Sequence, residues 1–248
     1  MPLHESESIV LKTYNLAEAD RIALFLTREF GIVRGVAKGA RRLHSKFGSA
    51  LEPFSIVQLE YFQKDDRELV SIQKADLVIS SFEAASDPRF LKVFSRFADL
   101  ITVFAQPNLP SPLLYRMLRA LILIAAERDT DLIAVELYFE VWLLRIEGFL
   151  PDWSVCARCG REFDALEASE LDAEDRLQCT RCSVKGRRPI APGVRNTLLR
   201  ILRVSPAEYL HEAESHREIL RELSAIVFKL LSKAAGPNQA KATARANI

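Results

Sequence analysis

The stretch RIALFLT, residues 21–27, decides the fold class of the N-terminal part of the chain. Its side chains alternate between two faces, Ile22, Leu24 and Leu26 against Ala23, Phe25 and Thr27. Alternation with a period of two is typical of a β-strand. The same period recurs in residues 9–12, 54–61 and 69–72, the last after a charged turn at residues 64–67. About five such strands in roughly 75 residues predict a small closed OB-type barrel, and an SH3-like barrel is the alternative that the pattern leaves open.

From residue 86 onward the hydrophobic pattern takes the period of a helix. Ser86-Asp87-Pro88 joins a capping side chain to a proline suited to the first helical turn. Further helices are predicted from Ser111-Pro112, from Asp131 to a stop at Gly148, and from Ser205-Pro206. Aromatic residues recur along these helices at helical spacing among apolar neighbours, so we interpret them as core rather than as a cofactor site.

All four cysteines lie in one segment, which reads CARC at residues 156–159 and CTRC at residues 179–182. Each C-x-x-C pair can place two thiolates on one metal ion, and two pairs at this spacing complete a tetrahedral four-sulfur site. The spacing therefore predicts a structural Zn²⁺ ion held by Cys156, Cys159, Cys179 and Cys182. Two disulfides or a thioredoxin-like dithiol are the alternatives, and the dithiol is disfavoured because no βαβ pattern surrounds either pair.

These segments predict an α+β multidomain chain, in which an N-terminal OB-fold β-barrel precedes an α-helical bundle with an inserted four-cysteine, zinc-ribbon-like segment. The predicted parts are an OB domain (1–80), a helical domain (81–150 and 192–235), a zinc-binding insertion (151–191) and a disordered tail (236–248). The N-terminus does not have the pattern of a signal peptide, and the central apolar run, residues 120–126, is too short to span a bilayer. We therefore expect a soluble protein of a reducing compartment, where paired cysteines more often bind metal than form disulfides.

One part of the chain is strongly basic, although the formal net charge of all 248 residues is only +1. No acidic residue lies between Glu29 and Glu52. This stretch holds five cations: Arg34, Lys38, Arg41, Arg42 and Lys46. Cations on a glycine-containing segment, with His44 and an available ring at Phe47 between them, suit a phosphate backbone and unstacked bases. Composition alone leaves a solvated basic loop without a partner as the alternative.

Residues suited to catalysis are few in this sequence. The four histidines are scattered, and no H-E-x-x-H, G-x-S-x-G or Walker motif occurs. A four-cysteine metal site leaves no open coordination position for a reactive water molecule. We therefore expect a binding protein with no catalytic residues rather than an enzyme.

Two longer stretches of the sequence resemble a known family. Residues 18–61, EADRIALFLTREFGIVRGVAKGARRLHSKFGSALEPFSIVQLEY, closely resemble the N-terminal domain of the bacterial DNA-repair and recombination mediator RecO. Residues 138–160, YFEVWLLRIEGFLPDWSVCARCG, resemble the junction between helix and cysteine segment in that family. The order of the predicted parts also agrees, and the four cysteines make the chain similar to the zinc-bearing members.

The resemblance implies a non-enzymatic protein of the RecF pathway that binds single- and double-stranded DNA and anneals complementary strands without ATP. It also implies the partners RecR, the acidic C-terminal tail of the single-stranded-DNA-binding protein and, indirectly, RecA, and a location in the bacterial cytoplasm at the nucleoid. Mapped onto this sequence, the DNA-binding residues are Arg34, Lys38, Arg41, Arg42 and Lys46, with Lys38 and Arg41 or Arg42 as first choices. An RNA-binding or ribosome-associated protein and a non-catalytic interaction scaffold are the alternative functions.

Overall fold

The computed structural model describes residues 2–63, 68–127, 130–184, 188–213 and 217–244. The charged turn predicted at residues 64–67 and the last part of the predicted tail, residues 245–248, lie outside these ranges. The chain divides into two compact units, Met1–Leu132 with Lys241–Ile248, and Ile133–Ala240. The finer domain boundaries given above remain a prediction.

Five strands of the first unit close into a barrel. Their bounds are β1 Leu3–Leu16, β2 Asp20–Thr27, β3 Gly31–Ala37, β4 Ile56–Phe62 and β5 Val70–Ile79. The order around the barrel is β1-β2-β3-β5-β4, in which β3 and β5 are parallel and every other neighbouring pair is antiparallel. This is the strand order of the OB fold, so the predicted OB-type barrel is confirmed.

The barrel core is filled from the strands and from one loop. Phe25 of β2 and Val33 of β3 are buried in this core, as the period of two requires. Residues 38–55, hereafter the basic loop, join β3 to β4 through a series of turns. Three apolar side chains of the basic loop join the same core: Phe47, Ala50 and Leu51. The loop is therefore fixed to the barrel by its own buried side chains.

Helices follow the barrel in the first unit: α1 Phe82–Ala85, α2 Pro88–Phe104 and α3 Pro112–Ala125. The predicted start of α2 is confirmed, because the Asp87 carboxylate accepts a hydrogen bond of 2.8 Å from the backbone N–H of Arg89. Phe90, Phe94 and Phe97 of this helix are buried, as expected of core residues.

The loop between α2 and α3 lies close to the start of β3. The N–H of Asn108 donates a hydrogen bond of 3.3 Å to the carbonyl of Ile32. Gly31 has a φ of 68°, and a Cβ atom at this position would lie 2.2 Å from the carbonyl oxygen of Leu109. Glycine is therefore required here both by the backbone conformation and by the close approach of the loop.

The second unit combines helices with a small sheet. The elements that lie wholly or mostly in it are α4 Leu132–Ile146, β6 Ser169–Leu171, β7 Leu177–Cys179, β8 Arg188–Ile190, α5 Pro192–Ile201, α6 Pro206–Ala213 and α7 Arg217–Ala244. Gly148, predicted to stop α4, has a φ of 77°, and α7 is interrupted at Gly236, where φ is 73°. Leu223, Ile226, Val227, Leu230 and Leu231 of α7 are buried, as expected of one apolar helix face. Within the described ranges, no helix has the length and apolar character needed to cross a bilayer.

Candidate metal centre and nucleic-acid interface

The cysteine segment is built on two tight turns. Cys156 begins the first turn, which Gly160 closes by donating its N–H to the Cys156 carbonyl at 2.8 Å, with a φ of 73°. Cys179 ends β7 and begins the second turn, in which the N–H groups of Cys182 and Ser183 both donate to the Cys179 carbonyl at 2.9 Å. Each turn thus brings the two cysteines of one C-x-x-C pair to the same side.

The four cysteine sulfurs form one compact cluster. The Sγ atoms of Cys156, Cys159, Cys179 and Cys182 all lie within 4.8 Å of one another, and those of Cys159 and Cys179 are 4.0 Å apart. Four thiolates bound at about 2.3 Å to one zinc ion lie about 3.8 Å apart. All four cysteines are free of disulfides. The cluster therefore has the size and the donor atoms needed to hold a metal ion.

Hydrogen bonds favour the thiolate form in part of this cluster. Burial by itself raises the pKa of the Cys156 thiol, but N–H donors, among them Cys179 N at 3.4 Å from Sγ, outweigh it and lower the pKa to about 6. Hydrogen bonds to the thiols of Cys179 and Cys159 raise the pKa of Cys182 to about 12. Sulfurs this close do not all ionise without a compensating cation, and a divalent metal ion is the species that stabilises four neighbouring thiolates together.

The small sheet, in the order β7-β6-β8, carries the cluster. Trp153 is 1% exposed, and its indole N–H donates to the carbonyl of Asp175 at 3.1 Å. The Asp172 carboxylate holds the β6–β7 turn by accepting the N–H groups of Glu174 and Arg176 at 3.0 and 2.9 Å. Each strand has only three residues, so the sheet has little apolar surface of its own to bury.

Arg195 of α5 joins the cysteine segment to the helices of the second unit. Although it is charged, it is only 1% exposed. Its guanidinium donates to the carbonyls of Glu167 and Ala165 at 3.0 and 3.2 Å and lies 4.9 Å from the centre of the Phe163 ring. Sequence reasoning did not identify this residue, because a single arginine on a predicted helix gives no sign that it is buried.

Asp175, in the β6–β7 turn, makes a second contact between the cysteine segment and the helices of the second unit. Its carboxylate pairs with the ammonium groups of Lys229 and Lys233 on α7. Burial raises the pKa of this carboxyl, but hydrogen bonds from the two lysines outweigh burial and hold the pKa below its usual range. The two lysines are one helical turn apart, and this spacing is the only sign of the contact in the sequence.

The basic loop of the barrel has a defined shape next to the β1–β2 turn. The backbone N–H and the Nη1 atom of Arg41 donate to the carbonyls of Ala19 and Ala17, both at 2.9 Å. The Asp20 carboxylate accepts the N–H of Gly39 at 2.8 Å. These contacts hold the first half of the loop, while the buried side chains described above hold the second half.

All five predicted DNA-binding side chains are exposed, Arg34 on β3 and Lys38, Arg41, Arg42 and Lys46 on the basic loop. In the part of the chain that the structure describes, Arg34, Lys38 and Arg42 have no acidic partner. Arg41 and Lys46 donate to the backbone carbonyls of Ala17 and Gln73, which are neutral, so these contacts are not ion pairs. The surface therefore presents five positive charges, none of which is in an ion pair with a carboxylate of these ranges, while the nearby carboxylates of Asp20 and Glu52 contact the N–H of Gly39 and the guanidinium of Arg21.

Phe47 does not offer a ring to nucleic acid, so that part of the sequence interpretation is wrong. Its side chain is 3% exposed and packs in the barrel core, while the Nζ atom of Lys46 lies 5.1 Å from the centre of its ring. The ring is buried because the basic loop needs apolar contacts with the barrel. Leu43 and His44 are the exposed neighbours within the loop, and Leu43 was not among the predicted residues.

The fold and these two sites define a class of protein: an OB-fold protein with an exposed basic loop and a separate cluster of four thiols. Residues 1–81 match the family model described as "Recombination protein O N terminal", and residues 86–242 match "Recombination protein O C terminal". The chain therefore belongs to the RecO family of DNA repair and recombination proteins, as its resemblance to that family predicted.

Several proteins named DNA repair protein RecO are similar to this chain. That of Koribacter versatilis is 34% identical over 164 residues, which are 65% of this chain and 66% of the relative. That of Geobacter metallireducens is 32% identical over 181 residues, 73% of either protein. That of Cutibacterium acnes is 34% identical over 171 residues, 64% of this chain and 67% of the relative. The chain thus spans about two thirds to three quarters of the length of these relatives.

Proposed function

We propose that this protein is a DNA-binding recombination mediator. It binds single- and double-stranded DNA, anneals complementary strands without ATP, and acts with RecR and the single-stranded-DNA-binding protein to promote loading of RecA at the nucleoid. Membership of the RecO family supports this proposal. The observation that carries it is the basic loop, which together with Arg34 of β3 adds five exposed cations to an OB barrel, none of them in an ion pair within the described ranges.

The basic loop suits contact with phosphates rather than with base edges. Lys38 and Arg42 are exposed and have no acidic partner in the described ranges, so we rank them first for binding phosphates. Arg41 adds charge, but its guanidinium also fixes the loop through Ala17. Contacts to phosphates carry no sequence information, so DNA of any sequence should bind.

Annealing requires two strands of like charge to approach while their bases stay free to pair. Lysine and arginine side chains that bind phosphates of one strand release its counterions and lower its repulsion toward the complementary strand. This mechanism uses binding energy alone and needs no nucleotide hydrolysis, in keeping with a sequence that has no Walker motif.

The cysteine cluster is proposed to hold a structural Zn²⁺ ion. Cys156, Cys159, Cys179 and Cys182 would be its four ligands, which leaves no coordination position for a water molecule. When bound, the ion supplies folding free energy to a segment too small to be stable through its own core. We assign DNA binding to the barrel and no catalytic role to any residue.

The binding site for the acidic tail of the single-stranded-DNA-binding protein needs available positive charge. Arg200 lines a groove of about 430 Å³ next to α5 and α6 in the second unit, but its positive charge is not available to bind the tail. The Arg200 guanidinium already pairs with Glu208 at 2.6 Å and Glu212 at 2.8 Å. We therefore do not assign the tail to this groove.

A strand-annealing assay without ATP, with and without the single-stranded-DNA-binding protein, tests the proposal. The wild type should accelerate pairing of complementary strands, and Lys38→Ala/Arg42→Ala should slow it. The matched control is Arg116→Ala/Arg203→Ala, which removes the same charge from exposed side chains outside the barrel. No acceleration by the wild type, an equal loss in the control, or stronger binding to RNA of the same sequence would contradict the proposal.

A further inference from the structure

The basic loop exposes one large apolar side chain among its cations. Leu43 is 93% exposed, more than any other large hydrophobic side chain in the described ranges, and lies between Arg42 and His44. Single exposed leucines are common on protein surfaces and need no explanation by themselves. The position of Leu43 differs because four cations of the same loop surround it in sequence: Lys38, Arg41, Arg42 and Lys46.

The backbone of the loop holds Leu43 outward in a defined turn. The N–H of Ser45 donates to the carbonyl of Arg42 at 3.0 Å, which places Leu43 and His44 at the two central positions of the turn. The N–H of Arg42 in turn donates to the carbonyl of Gly39 at 3.1 Å. Leu43 is therefore the tip of a segment that is fixed on both sides, by Arg41 before it and by buried Phe47 after it.

We propose that Leu43 contacts the bases of the DNA strand whose phosphates the basic loop binds, and that it enters between neighbouring bases as an apolar wedge. This inference rests on the proposed function. A nucleic-acid strand is a polyanion with apolar base faces. An exposed leucine on a hydrogen-bonded turn, flanked by cations, therefore matches both its phosphates and its bases. Leucine is among the apolar side chains that proteins insert between bases, and insertion unstacks the bases without covering the edges that pair.

A docking surface for a protein segment fits this position less well. Such surfaces bury a patch of several apolar side chains around a central anchor. At the tip of the basic loop, the neighbours of Leu43 in the chain are Arg41, Arg42 and His44, all of them exposed and polar. A single apolar side chain among cations favours a ligand that is charged along its whole length.

Binding of single-stranded DNA and of an abasic strand of equal length tests the inference in the full-length protein. Both strands carry the same phosphates, so the ratio of their affinities reports contact with bases. The wild type should prefer the base-bearing strand about tenfold, since burying much of a leucine side chain stabilises a complex by this order. Leu43→Ala and Leu43→Gln should bring the ratio close to one while the dependence on salt stays the same, because no charge is removed. Leu43→Phe should keep the preference.

A fluorescent base analogue within the strand supplies a second readout, because its emission rises when it is unstacked. The rise should occur with the wild type and be lost in Leu43→Ala, and Leu166→Ala is the control, since Leu166 is 87% exposed outside the barrel. If the wild type bound neither strand, the proposed function itself would fail. If it bound both strands equally and with the usual salt dependence, or if Leu43→Ala kept the preference, only the role of Leu43 would be overturned.

Discussion

Lys229 of α7 places its Nζ atom 2.7 Å from the Oδ1 atom of Asp175, in the turn between β6 and β7. The Asp175 side chain is only 2% exposed, whereas that of Lys229 is 52% exposed. Lys233 pairs with the other carboxylate oxygen, and the backbone of Asp175 adopts a φ of 61°. One buried carboxylate thus fastens the cysteine segment to α7 through two lysines that remain partly in water.

Asp175→Asn should destabilise the protein through the loss of this contact. Asparagine keeps the size of the side chain and tolerates a positive φ, so the substitution removes mainly the charge. We expect the free energy of unfolding at pH 7 to fall by about 2 kcal/mol, since hydrogen bonds to charged groups contribute about 1.5–3 kcal/mol and partial exposure weakens the pairs. Urea unfolding of both proteins measures the difference.

The matched control for Asp175→Asn is Glu174→Gln in the same turn. Glu174 pairs with Arg176 at 3.2 Å, but its side chain is 64% exposed, so its loss should change stability by less than about 0.5 kcal/mol. The free energies of unfolding of the wild type and of Asp175→Asn should also approach each other as the pH becomes acidic. The lowered pKa of Asp175 stabilises the fold above the pKa of a free carboxyl, about 3.9, and this contribution is lost as the pH falls through the folded-state value. If Asp175→Asn and Glu174→Gln lowered the free energy of unfolding at pH 7 equally, the buried contact of Asp175 would be no more stabilising than an exposed ion pair, which would contradict the prediction.

Removal of the metal should loosen the cysteine segment and leave the barrel folded. Wild-type protein should contain about one zinc ion per chain, and Cys179→Ser, which removes a fully buried ligand, should contain none. Hydrogen exchange should then become faster in residues 151–191 but not in β1–β5, because the barrel has its own core. Elemental analysis and hydrogen exchange measure these changes. A cysteine variant that folds normally yet loses all DNA binding would reverse the roles assigned to the two sites.

Binding of single-stranded DNA should depend steeply on salt. Five cations that neutralise about five phosphates give a slope of log K against log salt concentration near −3 to −4. Lys38→Ala/Arg42→Ala should reduce the magnitude of this slope by about 1.4 and weaken binding to all sequences alike. Fluorescence anisotropy between about 50 and 200 mM salt measures the slope. Affinity that hardly changes with salt, or a loss confined to one base context, would count against binding through the DNA backbone.

Phe47→Ala should act on stability rather than directly on DNA. Truncation of a buried phenylalanine costs about 3–5 kcal/mol, and here it would also release the basic loop from the barrel. Phe47→Leu keeps most of the apolar contact and should be milder, and Ser49→Ala is the exposed control in the same loop. Thermal unfolding together with anisotropy separates the two effects. If Phe47→Ala had normal stability but bound DNA more weakly, the result would mean that the Phe47 ring stacks on DNA, which its burial in the structure contradicts.

The barrel and the cysteine cluster were predictable because their signals are local. Side chains of a strand alternate whatever the strand pairs with, so residues 21–27 indicated β2 without knowledge of its neighbours. The C-x-x-C spacing likewise determines which two sulfurs approach each other. Capping by Asp87 belongs to the same group, since its partner Arg89 is two residues away.

Residues whose role depends on distant contacts could not be predicted in this way. Phe47 lies among cations in the sequence, and only the closed barrel shows that its ring belongs to the core. The burial of Arg195 depends on carbonyls about thirty residues earlier in the chain, and the Asp175 contact reaches α7 across more than fifty. Leu43 was missed because the sequence does not show whether an apolar residue in a predicted loop is buried or exposed.

Gly31→Ala should destabilise the barrel more than Gly48→Ala, although both glycines have a positive φ. Alanine in this conformation costs roughly 1–2 kcal/mol at either position. A Cβ atom on Gly48 meets no atom within 4 Å, whereas one on Gly31 would lie 2.2 Å from the Leu109 carbonyl oxygen. That overlap involves backbone, so the loop between α2 and α3 would have to move, at a further cost of about 1–3 kcal/mol. Urea unfolding of the two variants measures the difference. Equal decreases in the free energy of unfolding would mean that the loop between α2 and α3 moves away from β3 without a measurable cost.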